Sequence, residues 1–440
     1  MRYRVALLLI VAAFYGGILL LRGLGYDELY ENLLYGLGII PFRFPFIDSH
    51  GVLSPAQCYH AGISIYPVNP CDVLQRPLPW SPVWLDLIPA WMTTDDTPEL
   101  AVAFILAFAA GLFLVLRPAS GRQLLLMAVA CTSTSVTFAI ERGNADLLLF
   151  GLAAGTVVLY GGGPRARLGA YALAFAGGLL KFYPFVLLSL ALKERTRRFL
   201  AVAATAFLGL AAFGAWYYRG ILDALGVMPH GTYFGDDFSA QSLPFGIAEL
   251  GGFSDALDWT ILAALTAACV SGAALLARRF RSERLRIDWS TLEARSLLAG
   301  SLLIVGCFFA GQNVGYRGIF LLLVLPGLLR LRGPTAGAGL RPLPSLTIAA
   351  VLFLMWEEGI RHSFAWSLRA IGVDGAIPGI PGTAFWVLRE LVWWWVVWVL
   401  AAMIARFALE CPLLREAARI AYSASERWSR SRPGTPTPQR

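Results

Sequence analysis

Apolar runs close to twenty residues long recur along almost the whole chain, separated by short arginine-rich breaks. A run of that length matches the hydrocarbon thickness of a bilayer, and backbone in lipid has to satisfy its own hydrogen bonds. The sequence is therefore expected to fold as an all-α polytopic membrane protein, a single bundle of about 12 transmembrane helices. Composition agrees: 57% of residues are hydrophobic and only 15% charged, against roughly 25% charged in soluble domains. The net charge of +8 does not argue for nucleic acid. The positive residues form small clusters between apolar runs, which is topology information.

Arg2 and Arg4 precede the apolar run Val5–Leu21, and no small-residue cleavage site follows, so this segment reads as an uncleaved anchor with a cytoplasmic N-terminus. Alternating the later runs places clusters such as Arg278, Arg279, Arg281, Arg284 and Arg286 inside, together with Arg330, Arg332 and Arg341. Residues 1–409 then form the membrane domain, with outer loops at 23–98, 219–258 and 357–389. Both termini lie inside, and the basic, Pro/Ser-rich tail 410–440 is expected to be disordered. Four tryptophans, Trp393, Trp394, Trp395 and Trp398, read as an interfacial aromatic belt. The run 168–192 carries Lys181 near its middle and Pro184 just after it. A single span would hold an ammonium mid-bilayer, at about 3 kcal/mol. A helix broken near Lys181-Phe182-Tyr183-Pro184, lining a cavity, avoids this.

The polar residues inside this apolar body collect on one side. Asp48, Arg142, Asn144, Asp146, Lys181, Tyr183, His230, Gln241, Gln312, Asn313, Tyr316 and Arg317 all fall at outer helix ends. No polar pathway crosses to the inner side, which suits chemistry at the outer leaflet better than transport. A transporter or lipid flippase working through the break at Lys181 is the alternative. Asn144 is placed to cap a helix starting near Ala145, and a helix start is a ready site for phosphate. Lys181 at a helix break and Arg317 in Gly-Tyr-Arg also suit phosphate, arginine in bidentate fashion. Arg142 and Asp146 are four apart, and either pair or act separately. Asp48 either forms a local turn or serves as a base. The acid pairs Asp95-Asp96 and Asp236-Asp237 fit a divalent metal, but such pairs are commonly solvated, and no cofactor is expected. Cys58 and Cys71 share the first loop, where they form a disulfide or stay as two thiols. The other four cysteines read as small apolar packers.

The ordered pieces Phe46–Asp48 (FID), Cys58–Trp84 (CYHAGISIYPVNPCDVLQRPLPWSPVW), Arg142–Leu152 (RGNADLLLFGL), Gly177–Leu188 (GGLLKFYPFVLL), Ala240–Phe245 (AQSLPF) and Asn313–Leu329 (NVGYRGIFLLLVLPGLL) resemble glycosyltransferase family 87 of the GT-C superfamily. Gln241 departs from the family pattern, which has Asn before Gln-Ser-Leu. The resemblance implies a mannosyltransferase fed by a polyprenyl-phosphate sugar and acting on a lipid or cell-envelope glycan at the plasma membrane. It implies an aspartate base at Asp48. Donor phosphate binding falls on Lys181 and Arg317, with Asn144 and Arg142 beside them. Tyr183, Gln241, Gln312, Asn313, Tyr316, His230 and Asp146 are the expected substrate contacts.

Overall fold

The computed structural model describes residues 1–412 except 43, 228–230, 283–286, 333–339, 341, 374, 376 and 378. The expected disordered tail lies outside the described residues from 413 onward, as do His230, Arg284, Arg286 and Arg341. In chain order the helices are α1 Arg2–Gly23, α2 Asp27–Gly36, α3 Ile47–His60, α4 Val83–Leu87, α5 Thr97–Val115, α6 Gly121–Cys131, α7 Thr134–Arg142, α8 Asp146–Tyr160 and α9 Pro164–Leu180. They continue with α10 Thr196–Trp216, α11 Tyr218–Gly226, α12 Ser242–Gly251, α13 Asp255–Ser282, α14 Leu292–Ala310, α15 Leu321–Leu331, α16 Pro342–Ala370 and α17 Ile380–Leu409. The strands β1 Asp237–Phe238 and β2 Asn313–Val314 pair antiparallel.

The protein is an all-α membrane protein. Among the described residues seven helices are long and apolar enough to cross a bilayer, or eight if the α6–α7 pair, bent by 48°, is one span. The shorter apolar segments, Asp146–Tyr160 and Tyr183–Lys193, pack inside the bundle. A tally of about twelve crossings depends on how such short segments are counted.

The chain breaks at Lys181 as its charge demands. Helix α9 ends at Leu180, and a 3-10 segment, Tyr183–Lys193, folds back along it. Gly178 makes this turn possible, because a Cβ there would sit 2.2 Å from the Phe185 ring. The Trp84 indole on α4 donates to the Leu180 carbonyl at 3.1 Å, so the first loop is tied to the break.

The expected third outer loop, 357–389, is helical at both of its ends. Helix α16 continues to Ala370 and α17 begins at Ile380. The charges that read as loop-like are paired on the helices instead. Buried Arg389 meets Glu390 at 2.6 Å and Glu358 at 3.7 Å, and Arg361 also holds Glu358. The tryptophans divide: Trp393 is stacked on Phe238 at 4.3 Å and donates to Glu357 at 3.2 Å, while Trp394 packs edge-on against Phe308. Those two are buried, Trp393 under Phe238 of β1 and Trp394 against Phe308 of α14. The opposite end of the bundle carries its own ionic cluster, in which Glu194 holds Arg167 at 2.9 Å and Arg198 at 3.1 Å.

Candidate active site

The turn from α7 to α8 makes one half of the site. Gly143 ends α7 with φ +58, in the left-handed region that favours glycine. A Cβ there would meet Ser49 Oγ at 2.7 Å and Phe46 Cβ at 2.9 Å. Ser49 uses that close approach to donate to the Gly143 carbonyl at 2.6 Å, and the Phe46 amide donates to the Glu141 carbonyl at 2.8 Å. These bonds hold the first turn of α3, and with it Asp48, against the start of α8.

Asn144 joins the two halves. Its Nδ2 donates to Asp48 Oδ2 at 2.6 Å. Its Oδ1 accepts the Asp146 amide at 2.8 Å, which is the expected cap, and also Lys181 Nζ at 3.1 Å. Lys181 donates to Asp146 Oδ1 at 2.7 Å, and the Tyr183 hydroxyl donates to the same oxygen at 2.9 Å. Arg317 Nε lies 3.4 Å from the other oxygen, and its Nη1 bonds Asn313 Oδ1. Two cations therefore share one fully buried carboxylate, leaving a surplus positive charge. The Trp80 ring centroid lies 5.2 Å from Lys181 Nζ and that of Tyr316 5.8 Å, so aromatic faces wall the ammonium.

Other expected residues stand elsewhere. Arg142 does not pair with Asp146. Its guanidinium packs over the rings of Phe42 and Phe138, donates to the Ile40 carbonyl at 3.1 Å and lies 3.4 Å from Glu141. It braces the approach to α3 and is not brought to Lys181. Gln312 accepts from the Gly231 amide at 2.9 Å and donates to its carbonyl at 3.3 Å, so it secures the second outer loop. Asn313 spends its amide nitrogen on the carbonyls of Cys307 and Gly311 and positions Arg317. Gln241 bonds Ser239 through its backbone amide only.

Arg76 belongs to the site and was not singled out from the sequence. Its Nη1 lies 3.7 Å from Asp48 Oδ1, and its Nη2 donates to the Ile47 carbonyl at 2.8 Å and to Asp72 Oδ2 at 2.9 Å. Burial pushes the Asp72 carboxyl up. The hydrogen bond and charge of Arg76 and the amides of Leu74 and Arg76 outweigh this and hold it below the usual range. The available signal was that Arg76 is the one basic side chain other than histidine between Phe46 and Pro82. Cys58 and Cys71 form a disulfide, which pins the turn segment leading to Arg76 onto α3.

Among the described residues no cluster of His, Cys, Asp or Glu is arranged to hold a metal ion. The site has one partly accessible carboxylate, Asp48, linked through the Asn144 amide to Lys181, which shares Asp146 with Arg317. That is a cluster of charged and polar side chains within a bundle of apolar helices. The profile of Glycosyltransferase family 87 matches residues 76–306, more than half of the chain, and the protein belongs to that family. The matched stretch contains Arg76, Asn144, Asp146, Lys181 and Tyr183, whereas Asp48 and Arg317 flank it. No curated protein and no solved structure matches the chain.

Proposed function

We propose that the protein is an inverting glycosyltransferase that moves a hexose, in the first place mannose, from a polyprenyl-phosphate donor to a lipid-linked or envelope glycan. The observation that carries this reading is the single amide of Asn144, which bonds both Asp48 and Lys181. The proposed base and the proposed phosphate-binding cation are then held by one and the same side chain. Asp48 takes the proton of an acceptor hydroxyl, and the oxygen forms a bond to the anomeric carbon. The bond from that carbon to the phosphate oxygen breaks on the opposite face. Polyprenyl phosphate leaves with the electron pair, held by Lys181 and Arg317, whose surplus charge it neutralises. Phosphate is a good leaving group, so this step needs no separate general acid. The arginines of the cluster Arg167, Glu194 and Arg198 at the far end of the bundle favour that end as cytoplasmic, which supports a site on the outer side of the plasma membrane.

The test is transfer by purified protein from synthetic polyprenyl-phosphate hexoses to a membrane lipid extract, read by mass spectrometry. Asp48→Asn is expected to lower the rate about 10²- to 10⁴-fold. Wild-type turnover by that variant overturns the assignment of the base. Movement of the donor lipid between leaflets with no covalent product replaces the reading with transport.

A further inference from the structure

One face of α17 is built against the second outer loop. Trp386, Arg389 and Trp393 are spaced three and four apart, so they share a face of that helix, and each is 1% exposed. Trp386 Nε1 donates to the Tyr233 carbonyl at 2.9 Å, and its ring packs edge-on against Phe234 at 5.1 Å. Arg389 Nη1 donates to the Gly235 carbonyl, and its Nη2 donates to the Asp237 carbonyl at 3.2 Å. Trp393 stacks on Phe238. The chain from Tyr233 to Phe238 is thus laid along α17.

That segment carries its position on to the site. Strand β1 pairs with β2, Phe238 opposite Asn313 and Asp237 opposite Val314. Asn313 Nδ2 reaches the Phe238 carbonyl at 3.4 Å, while its Oδ1 accepts from Arg317. There is no slack between the two strands: a Cβ on Gly315 would stand 2.6 Å from the Asp236 carbonyl. On its other side Arg317 has Asp146, at 3.4 Å. A guanidinium held between Asn313 and Asp146 is placed by whatever fixes β1.

Stability alone does not explain an arginine at 389. A buried ion pair is a weak source of stability, and well-packed apolar residues often serve as well in its place. What a guanidinium adds is a rigid fork of donors. Here the fork spans two backbone carbonyls of the loop, and Glu390 at 2.6 Å and Glu358 at 3.7 Å balance its charge. We propose that Arg389 is a positioning residue for the phosphate-binding group: through β1 and Asn313 it sets the place of the Arg317 guanidinium without touching substrate. This rests on the transferase reading, in which Arg317 holds the donor phosphate. It extends the working site to a helix that lies beyond the family match at residues 76–306.

The test is binding of a short-chain polyprenyl phosphate, without sugar, to the purified full-length protein in micelles by titration calorimetry. The wild type, Arg389→Lys, Arg317→Gln and the double variant are compared. Lysine keeps the charge and loses the fork. Arg389→Lys should therefore bind about tenfold more weakly, as Arg317→Gln should, the loss of one charge-assisted contact. In the double variant the two losses should not add, because both act through one guanidinium. A residue that only holds the fold together would reduce the number of sites and leave the affinity of the folded protein unchanged. Trp386→Phe keeps the ring packing and drops one bond to the loop. It should weaken binding about threefold while Arg317 is present, and it decides the question where Arg389→Lys does not fold. Undiminished affinity in these loop-holding variants, or losses that add to that of Arg317→Gln, overturns the inference and leaves the transferase reading standing. A wild type that does not bind the phosphate overturns both.

Discussion

Removing the carboxylate of the buried triad should harm the fold more than removing its ammonium. Lys181 and Arg317 are two cations on the one carboxylate of Asp146, whose side chain is fully buried while that of Lys181 is 3% exposed. Lys181→Met leaves Arg317 and Asp146 as a neutral pair. Its cost is the lost 2.7 Å charge-assisted bond, about 1.5–3 kcal/mol. Asp146→Asn is nearly isosteric, yet it takes the shared carboxylate from buried Lys181 and half-buried Arg317, at about 3–5 kcal/mol. Equilibrium unfolding in mixed micelles should rank the variants in that order. Inorganic phosphate should stabilise Asp146→Asn more than the wild type, since an anion filling the site binds the folded state only. Activity should not follow the same ranking. Loss of one donor at a developing phosphate charge costs about 10²- to 10³-fold in kcat, so Lys181→Met should be nearly inactive while remaining the better folded of the two. The charge argument is refuted if Lys181→Met is the less stable variant, or if phosphate leaves Asp146→Asn unchanged.

Asn144→Asp puts a second carboxylate where an amide now donates to Asp48 at 2.6 Å. The acid limb of the pH–rate profile should move up by about one unit or more, because a like charge opposes ionisation of the base. Gly143→Ala forces a Cβ into a left-handed residue packed on Ser49 and Phe46. It should lower unfolding stability by at least about 1 kcal/mol and transfer activity with it, since the same contact seats Asp48. Burial, with Asp236 adding, pushes the Asp237 carboxyl up to about 7, against the opposing charge of Arg389. The folded state therefore keeps its proton where the unfolded chain loses it, and stability falls as pH rises from about 4 towards 7. Asp237→Asn should accordingly raise the melting temperature more at pH 8 than at pH 5.

The core of the site was legible because its residues are polar exceptions in an apolar chain. Lys181 could not sit mid-span, and the structure breaks the helix there. Asn144, Asp146, Tyr183 and Arg317 lie at helix ends that this break brings together. The partners from the first loop were less visible. Arg76 reaches Asp48 through a fold of the loop that no periodicity describes, held by Asp72 and the disulfide. Arg142 misled because a guanidinium beside an acid reads as a binding group. The nearby phenylalanines that occupy it, Phe42 and Phe138, come from separate segments. The tryptophans of α17 misled for a related reason. A belt and a buried stack have the same spacing, and only the packing of Phe238 on Trp393 and of Phe308 on Trp394 separates them.

Donor and acceptor chemistry meet in one stereochemical outcome. On the proposed reading, a single displacement at the anomeric carbon, with Asp48 on one face and Lys181 and Arg317 holding the phosphate on the other, would convert a β-linked polyprenyl-phosphate hexose into an α-linked product. With a β-linked donor supplied, the one-bond carbon–proton coupling at the anomeric carbon of the wild-type product, larger for α than for β, reads this directly. An α linkage is predicted; a β linkage would require two displacements and contradict the site described here.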